Sequence, residues 1–304
     1  MDIVEKKEFS FSGDTGDALI SVYTVFPGIE LAFNSVHIDH FDLGPKKEGN
    51  YIEIHHCREG RIEQEFEDDN LYLMPGDLSL AIRNRAMNKY KFPLHHYHGI
   101  TITVDVEAVP EDFTHFLDDV CVRPLIVGKK LCRDKEFFVL RGETYIEHIF
   151  SELYSAPEKG KLGYFKVKIL ELFLILNGID TAEYQTPDVL VPRSKVAIAK
   201  QAADYLAEHV NQRITIPELA KQFNVSDSYL KNTFKDVFGV PVYSYVRIQK
   251  MQIAAKWLVG SDRPIMQIAA ECGYGNGSKF TAAFRSVMGE TPSDYRKRHT
   301  KRSD

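Results

Sequence analysis

The chain repeats itself once, and that repeat constrains its C-terminal third more than any other feature. The stretch ITIPELAKQFNVSDSYLKNTFKDVFG carries Ile216, Leu219, Ala220, Asn224, Leu230, Phe234 and Gly239. PIMQIAAECGYGNGSKFTAAFRSVMG carries Ile265, Ile268, Ala269, Gly273, Phe280, Phe284 and Gly289. The offset is 49 residues up to the middle of each stretch and 50 beyond it, so the second copy holds one added residue where a turn tolerates it. Ile, Leu and Ala at i, i+3 and i+4 give a short helix one apolar face, and the alanine lets a second helix cross closely. Asn224 and Gly273 are types that accept the left-handed backbone of a tight helix exit. Ser226, and a residue within 276–278, can then cap a new helix whose Leu230/Phe234 or Phe280/Phe284 pair faces inward. Each copy reads as a helix-turn-helix.

Between the copies, Val246, Met251, Ile253, Ala254 and Leu258 fall at helical spacings before Gly260 and Pro264, which reads as a long linking helix. Ahead of the first copy, Ile198, Ala202, Tyr205, Leu206 and Val210 mark a helix that opens the domain. Two second helices on one connector could enter successive major-groove segments, roughly 34 Å apart. Charge agrees with a polyanionic partner. Residues 194–304 hold 17 Lys and Arg against 10 Asp and Glu, a net of +7, while residues 1–193 carry −12.

These residues resemble the DNA-binding domain of AraC/XylS-type transcription regulators over about 195–300. The resemblance rests on Arg247 followed by Ile253-Ala254-Ala255 and Leu258, on PIMQIAAECGY, and on the ending FRSVMGETPSDYR with Phe284, Gly289, Pro292, Tyr295 and Arg296. It implies recognition helices at about 227–238 and 277–287. On the first, Ser228, Lys231 and Asn232 would face the groove and Lys235 the phosphates; on the second, Ser278, Lys279, Ala282 and Arg285 are the exposed positions. Lys pairs with guanine acceptors and Asn with adenine, whereas Ser is indiscriminate and Ala offers only methyl contact. The second helix is poor in base-reading groups, so the first motif is expected to supply more specificity and the second more backbone positioning. Arg296, Lys297, Arg298, Lys301 and Arg302 read as a frayed basic tail.

The N-terminal part is built from β-rich runs at 31–38, 51–57, 60–66, 70–74, 77–83 and 95–104, separated by turns such as Pro75-Gly76-Asp77. It is similar to the cupin-type sensory barrel common in that family. The expected fold is therefore two-domain: an all-β cupin-like barrel with following helices, then an all-α domain with two helix-turn-helix motifs. The expected boundaries are 1–140 for the barrel, 141–179 for a helical segment with possible dimerisation, 180–194 for the linker and 195–304 for the DNA-binding domain.

His55, His56, Cys57, His95, His96 and His98 lie on two expected strands, but their spacing does not reproduce the cupin ligand set, so neither metal nor cofactor is assigned. Phe33, His55, Arg58, His96, Tyr97 and His98 are instead candidates to line an effector pocket. Cys57, Cys121, Cys132 and Cys272 form no C-x-x-C pair and suggest neither a disulfide framework nor a zinc finger. Phe165, Ile169, Leu172, Phe173 and Leu176 make a helix apolar over much of its circumference, which must bury itself in the domain or against a second subunit. No apolar run approaches the ~18 residues that span a bilayer, and the N-terminus is not signal-like. The expected protein is a cytoplasmic, ligand-responsive regulator, an activator rather than an enzyme. Promoter DNA, RNA polymerase, an unknown small effector and a second copy of itself are its expected partners, with no membrane. The rival readings are a metal-dependent cupin enzyme carrying a DNA module, and a constitutive regulator whose barrel only dimerises.

Overall fold

The computed structural model describes residues 6–13, 16–44, 48–66, 69–85, 89–110, 122–133, 135–181, 190–210, 212 and 214–300. They form two compact units that divide between Leu190 and Val191. Cys121, most of the expected linker (182–189), and Lys301 and Arg302 lie outside the described residues.

The first unit is all-β followed by helices. Its strands are β1 (Lys6–Gly13), β2 (Gly16–Phe26), β3 (Ile29–Val36), β4 (His40–Asp42), β5 (Glu48–Gly60), β6 (Ile62–Glu65), β7 (Asp69–Leu73), β8 (Asp77–Arg85), β9 (Lys89–Lys91), β10 (Tyr97–Asp105) and, after helix α1 (Pro124–Cys132), β11 (Phe137–Arg141). A seven-stranded antiparallel sheet runs β1-β2-β3-β10-β5-β8-β11, and a smaller one contains β7-β6-β9-β4 in that order. The two pack on a shared core and, among the described residues, do not close into a continuous barrel. That core joins Ile20, Val36, Cys57 and Val139 of the large sheet to Phe41, Ile62, Leu73 and Tyr90 of the small one.

Helices cover the other face of the large sheet, so its central strands are buried on both sides, and polar residues such as Glu53, His55, Ser79 and Thr101 are buried among their apolar ones. In β5, Ile52 and Ile54 turn to α1, α2 (Thr144–Tyr154) and α3 (Lys161–Gly178), while Cys57 turns to the small sheet. Phe165, Ile169, Leu172, Phe173 and Leu176 of α3 are all fully buried in this core, so these five are internal packing. The exposed apolar positions of α3 are Val167 and Leu174. Gly60 (φ +78°) ends β5 where a Cβ would come within 1.9 Å of the His96 carbonyl oxygen, so only glycine lets β10 begin there.

The short strand β12 (Leu190–Pro192) straddles the division, and the rest of the second unit is helical: α4 (Arg193–Glu208), α5 (Ile216–Gln222), α6 (Asp227–Phe238), α7 (Val242–Gly260), α8 (Ile265–Glu271), α9 (Gly277–Met288) and α10 (Pro292–Thr300). In α4 the buried positions are Val196, Ala199, Ala202, Ala203 and Leu206, with Ile198 only half-buried: the inward face is turned from the one expected. The expected basic tail is in fact helical as far as Thr300. Arg296 is a structural residue: its Nε donates to the Leu258 carbonyl (3.0 Å) and an Nη to that of Arg263 (2.7 Å), satisfying an orphan carbonyl at the end of α7.

Candidate nucleic-acid interface

Both copies of the repeat fold by the same local chemistry. Leu219 and Ala220 of α5, and Ile268 and Ala269 of α8, are buried. Each helix ends on a left-handed residue, Asn224 (φ +53°) or Gly273 (φ +82°). The same two hydrogen bonds close each turn: Val225 N to Ala220 O and Asn224 N to Lys221 O in the first copy, Tyr274 N to Ala269 O and Gly273 N to Ala270 O in the second. This is the Schellman arrangement, which satisfies carbonyls the helix leaves orphaned. The next helix starts on a side-chain cap, the Ser226 hydroxyl accepting from Tyr229 N and the Asn276 carbonyl oxygen from Lys279 N. It ends on left-handed Gly239 or Gly289. At the entrance to α5, a capping box joins Thr215 to Glu218.

Packing then decides which side of each second helix faces solvent. Leu230, Phe234, Val237 and Phe238 hold α6 to the core, as Phe280 and Phe284 hold α9. Ser228, Lys231, Asn232 and Lys235 are exposed at i, i+3, i+4 and i+7, one face of α6. On α9, Ser278, Lys279, Ala282 and Arg285 are exposed. By the 50-residue register, Ser278, Thr281, Ala282 and Arg285 correspond to the four residues of α6. Lys279 stands where the first copy has half-buried Tyr229, off the shared face, and half-exposed Thr281 takes the place of Lys231. Arg263 and Arg298 are paired with Glu271 and Glu290, whereas among the described residues no carboxylate pairs with Lys231, Lys235, Lys279 or Arg285. An open hollow of about 920 Å³ flanks α9, lined in part by Met266, Gly277, Ser278, Ala282 and Arg285.

In the first unit the six effector candidates divide between the two faces of the large sheet. Phe33 packs at its outer face against Tyr23, Tyr154 and Phe165, and the Arg58 guanidinium lies 4.4 Å above the Tyr154 ring. His55 and Tyr97 point between the sheets. His55 Nδ1 is 3.2 Å from Thr101 Oγ1, its Nε2 is 3.8 Å from Glu53, and Glu53 meets Arg83 at 3.1 Å. Tyr97 stacks on Phe92, and burial holds its phenol well above its usual range. His98 and His96 meet instead at the end of β10, beside His37. The expected strand 95–104 in fact begins at Tyr97; His95 sits in a turn at φ +54°. Burial first, then His98 and His37, push the His96 imidazole down to about 4. His56, outside the six, stacks flat on Phe150 at 4.0 Å and meets Glu147 at 3.3 Å. Buried Cys132 and Cys272 are pushed up to about 12 and about 11 by desolvation, and buried Cys57 further still, so none is poised as a thiolate.

Comparison with known proteins finds a helix-turn-helix domain family matching residues 219–298. The regulatory protein SoxS of Salmonella typhimurium is 34% identical over 101 residues, covering 33% of this chain and 94% of that protein. SoxS of Escherichia coli K12 is 35% identical over 94 residues, covering 31% and 88%. Among solved structures, the C-terminal domain of AraT, a response regulator from Geobacillus stearothermophilus, aligns at 32% identity with a TM-score of 0.31, covering 33% of this chain and 84% of that one.

Proposed function

The chain belongs to the AraC/XylS-type family of DNA-binding transcription regulators, and from that premise we propose that it is a ligand-responsive regulator whose two recognition helices read adjacent major-groove segments. Its relatives are transcription regulators, and no enzymatic family is indicated. The observation that carries the reading is the pair of solvent faces at matching repeat positions, Ser228, Lys231, Asn232 and Lys235 on α6 and Ser278, Ala282 and Arg285 on α9. Lys231 and Asn232 bring donors suited to guanine and adenine, whereas α9 keeps one cation and small side chains. On this reading α6 sets most of the sequence preference and α9 mostly positions the backbone.

The N-terminal unit is the sensor in this proposal, and a second copy of the chain and RNA polymerase are its protein partners. An effector bound in that unit changes how the paired helices meet the promoter, with activation as the output. Such coupling requires the effector to bind the two states with different affinities. The test is DNA binding by the purified chain across a salt series, comparing the DNA upstream of its own gene with a scrambled duplex. Preferential binding whose affinity falls as salt rises supports the proposal. Equal affinity for both duplexes, with and without a panel of small effectors, sinks it.

A further inference from the structure

His37, His96 and His98 lie 59 and 61 residues apart in sequence, yet β3 and β10 bring them together. The ladder pairs Tyr97 with Val36 and His98 with Ser35, so His96 comes opposite His37 just beyond the paired residues. His96 and His98 are two residues apart and share a sheet face. The three rings are mutually close, with centroids 5.2, 5.2 and 4.8 Å apart. One ligating nitrogen from each lies within 4.8 Å of the other two. His37 Nδ1 and His96 Nδ1 approach to 3.4 Å. A neutral imidazole has one donor and one acceptor nitrogen, so two facing nitrogens need either a proton or a shared Lewis acid between them. Two nitrogens bound to one tetrahedral zinc at about 2.05 Å are separated by about 3.3 Å.

The other side of His96 strengthens the case. Its Nε2 is 3.6 Å from the Glu59 carboxylate, and Glu59 lies opposite His98 in the β5–β10 ladder. An imidazole that presents one nitrogen to a cation and gives the other to a carboxylate is the usual arrangement of a metal-bound histidine. Arg58 also faces this cluster, but its charge is directed to the Tyr154 ring and to Glu59. His37 is exposed, so solvent reaches the trio directly.

We propose that His37, His96 and His98 form a binding site for a divalent transition-metal ion of the zinc class, with Glu59 orienting His96 and a fourth coordination position open to solvent or an added ligand. Three imidazoles and no thiolate suit zinc, nickel or cobalt and disfavour magnesium and calcium, which take oxygen. Closing the set needs a ring rotation that draws together nitrogens now lying within 4.8 Å of one another. The site goes beyond the regulatory proposal and does not depend on it, because its test involves no DNA.

The experiment is calorimetric titration of the tag-free full chain with zinc alone, alongside cobalt titration followed by visible absorption. The expected result is one zinc per chain and an intense tetrahedral cobalt spectrum. His37→Ala should weaken zinc at least 10-fold, His37→Ala with His98→Ala at least 100-fold, and Glu59→Gln about 10-fold. His40→Ala, at a nearby exposed histidine outside the trio, should leave affinity unchanged. His37 is exposed, so its loss spares the core, and far-ultraviolet circular dichroism of each variant checks the fold. Zinc affinity that survives the double substitution, an equal loss in His40→Ala, or no stoichiometric binding by the unaltered chain would overturn the proposal.

Discussion

Lys231 and Lys279 look alike on paper, yet the repeat register separates them. Lys231 lies on the four-residue face of α6, whereas Lys279 occupies the position of half-buried Tyr229. Lys231→Ala should therefore flatten the ranking of DNA sites in a selection experiment more than Lys279→Ala does, and the reverse ordering would refute the division of labour between the helices. His56 makes a prediction of a different kind. Burial against Phe150 lowers its proton affinity more than Glu147 raises it. Its folded-state pKa thus lies below the ordinary value near 6.5. The unfolded chain then binds the extra proton, so the contribution is fully present above about 6.5 and is lost as pH falls toward the folded value. The urea midpoint of the first unit should drop over that acid window, and His56→Phe, which keeps the stack and cannot titrate, should make the drop shallower.

At the scale of elements, the turn inside each helix pair depends on one left-handed residue. Asn224→Gly should leave the urea midpoint of the second unit nearly unchanged, while Asn224→Ala and Gly273→Ala should each cost about 1–2 kcal/mol, because a Cβ without a compensating side-chain amide is strained there. Gly273→Asn should recover part of the loss. These turns were legible in the sequence because a repeat compares the chain with itself: Asn224 and Gly273 stand at one position, as do Gly239 and Gly289. Packing direction was less legible. In α4, Ala199 and Ala203 belong to the core and Ile198 only half does, since alanines mark either face equally and tertiary contacts choose. Strands β1, β2 and β11 fall outside the runs picked out by alternation, although β2 and β11 contribute Ile20 and Val139 to the core. The histidine cluster was legible only in part, because no local spacing links His37 to residues some 60 positions later; the strand pairing does.

At the scale of the whole molecule, the charge division and the fold agree: an acidic first unit and a basic second one, each with its own apolar interior. The shape of the β half could not be read fully in advance, because strand runs do not reveal whether sheets close, and among the described residues they do not. Separate interiors also bear on cooperativity. Two interiors predict two transitions rather than a single melting temperature, because the all-or-none approximation applies to single domains. Scanning calorimetry should record two heat-absorption peaks, and a bound duplex should move chiefly the one belonging to the helical unit, by mass action. The helical unit can then outlast the loss of the β unit, or be lost while the β unit stays intact.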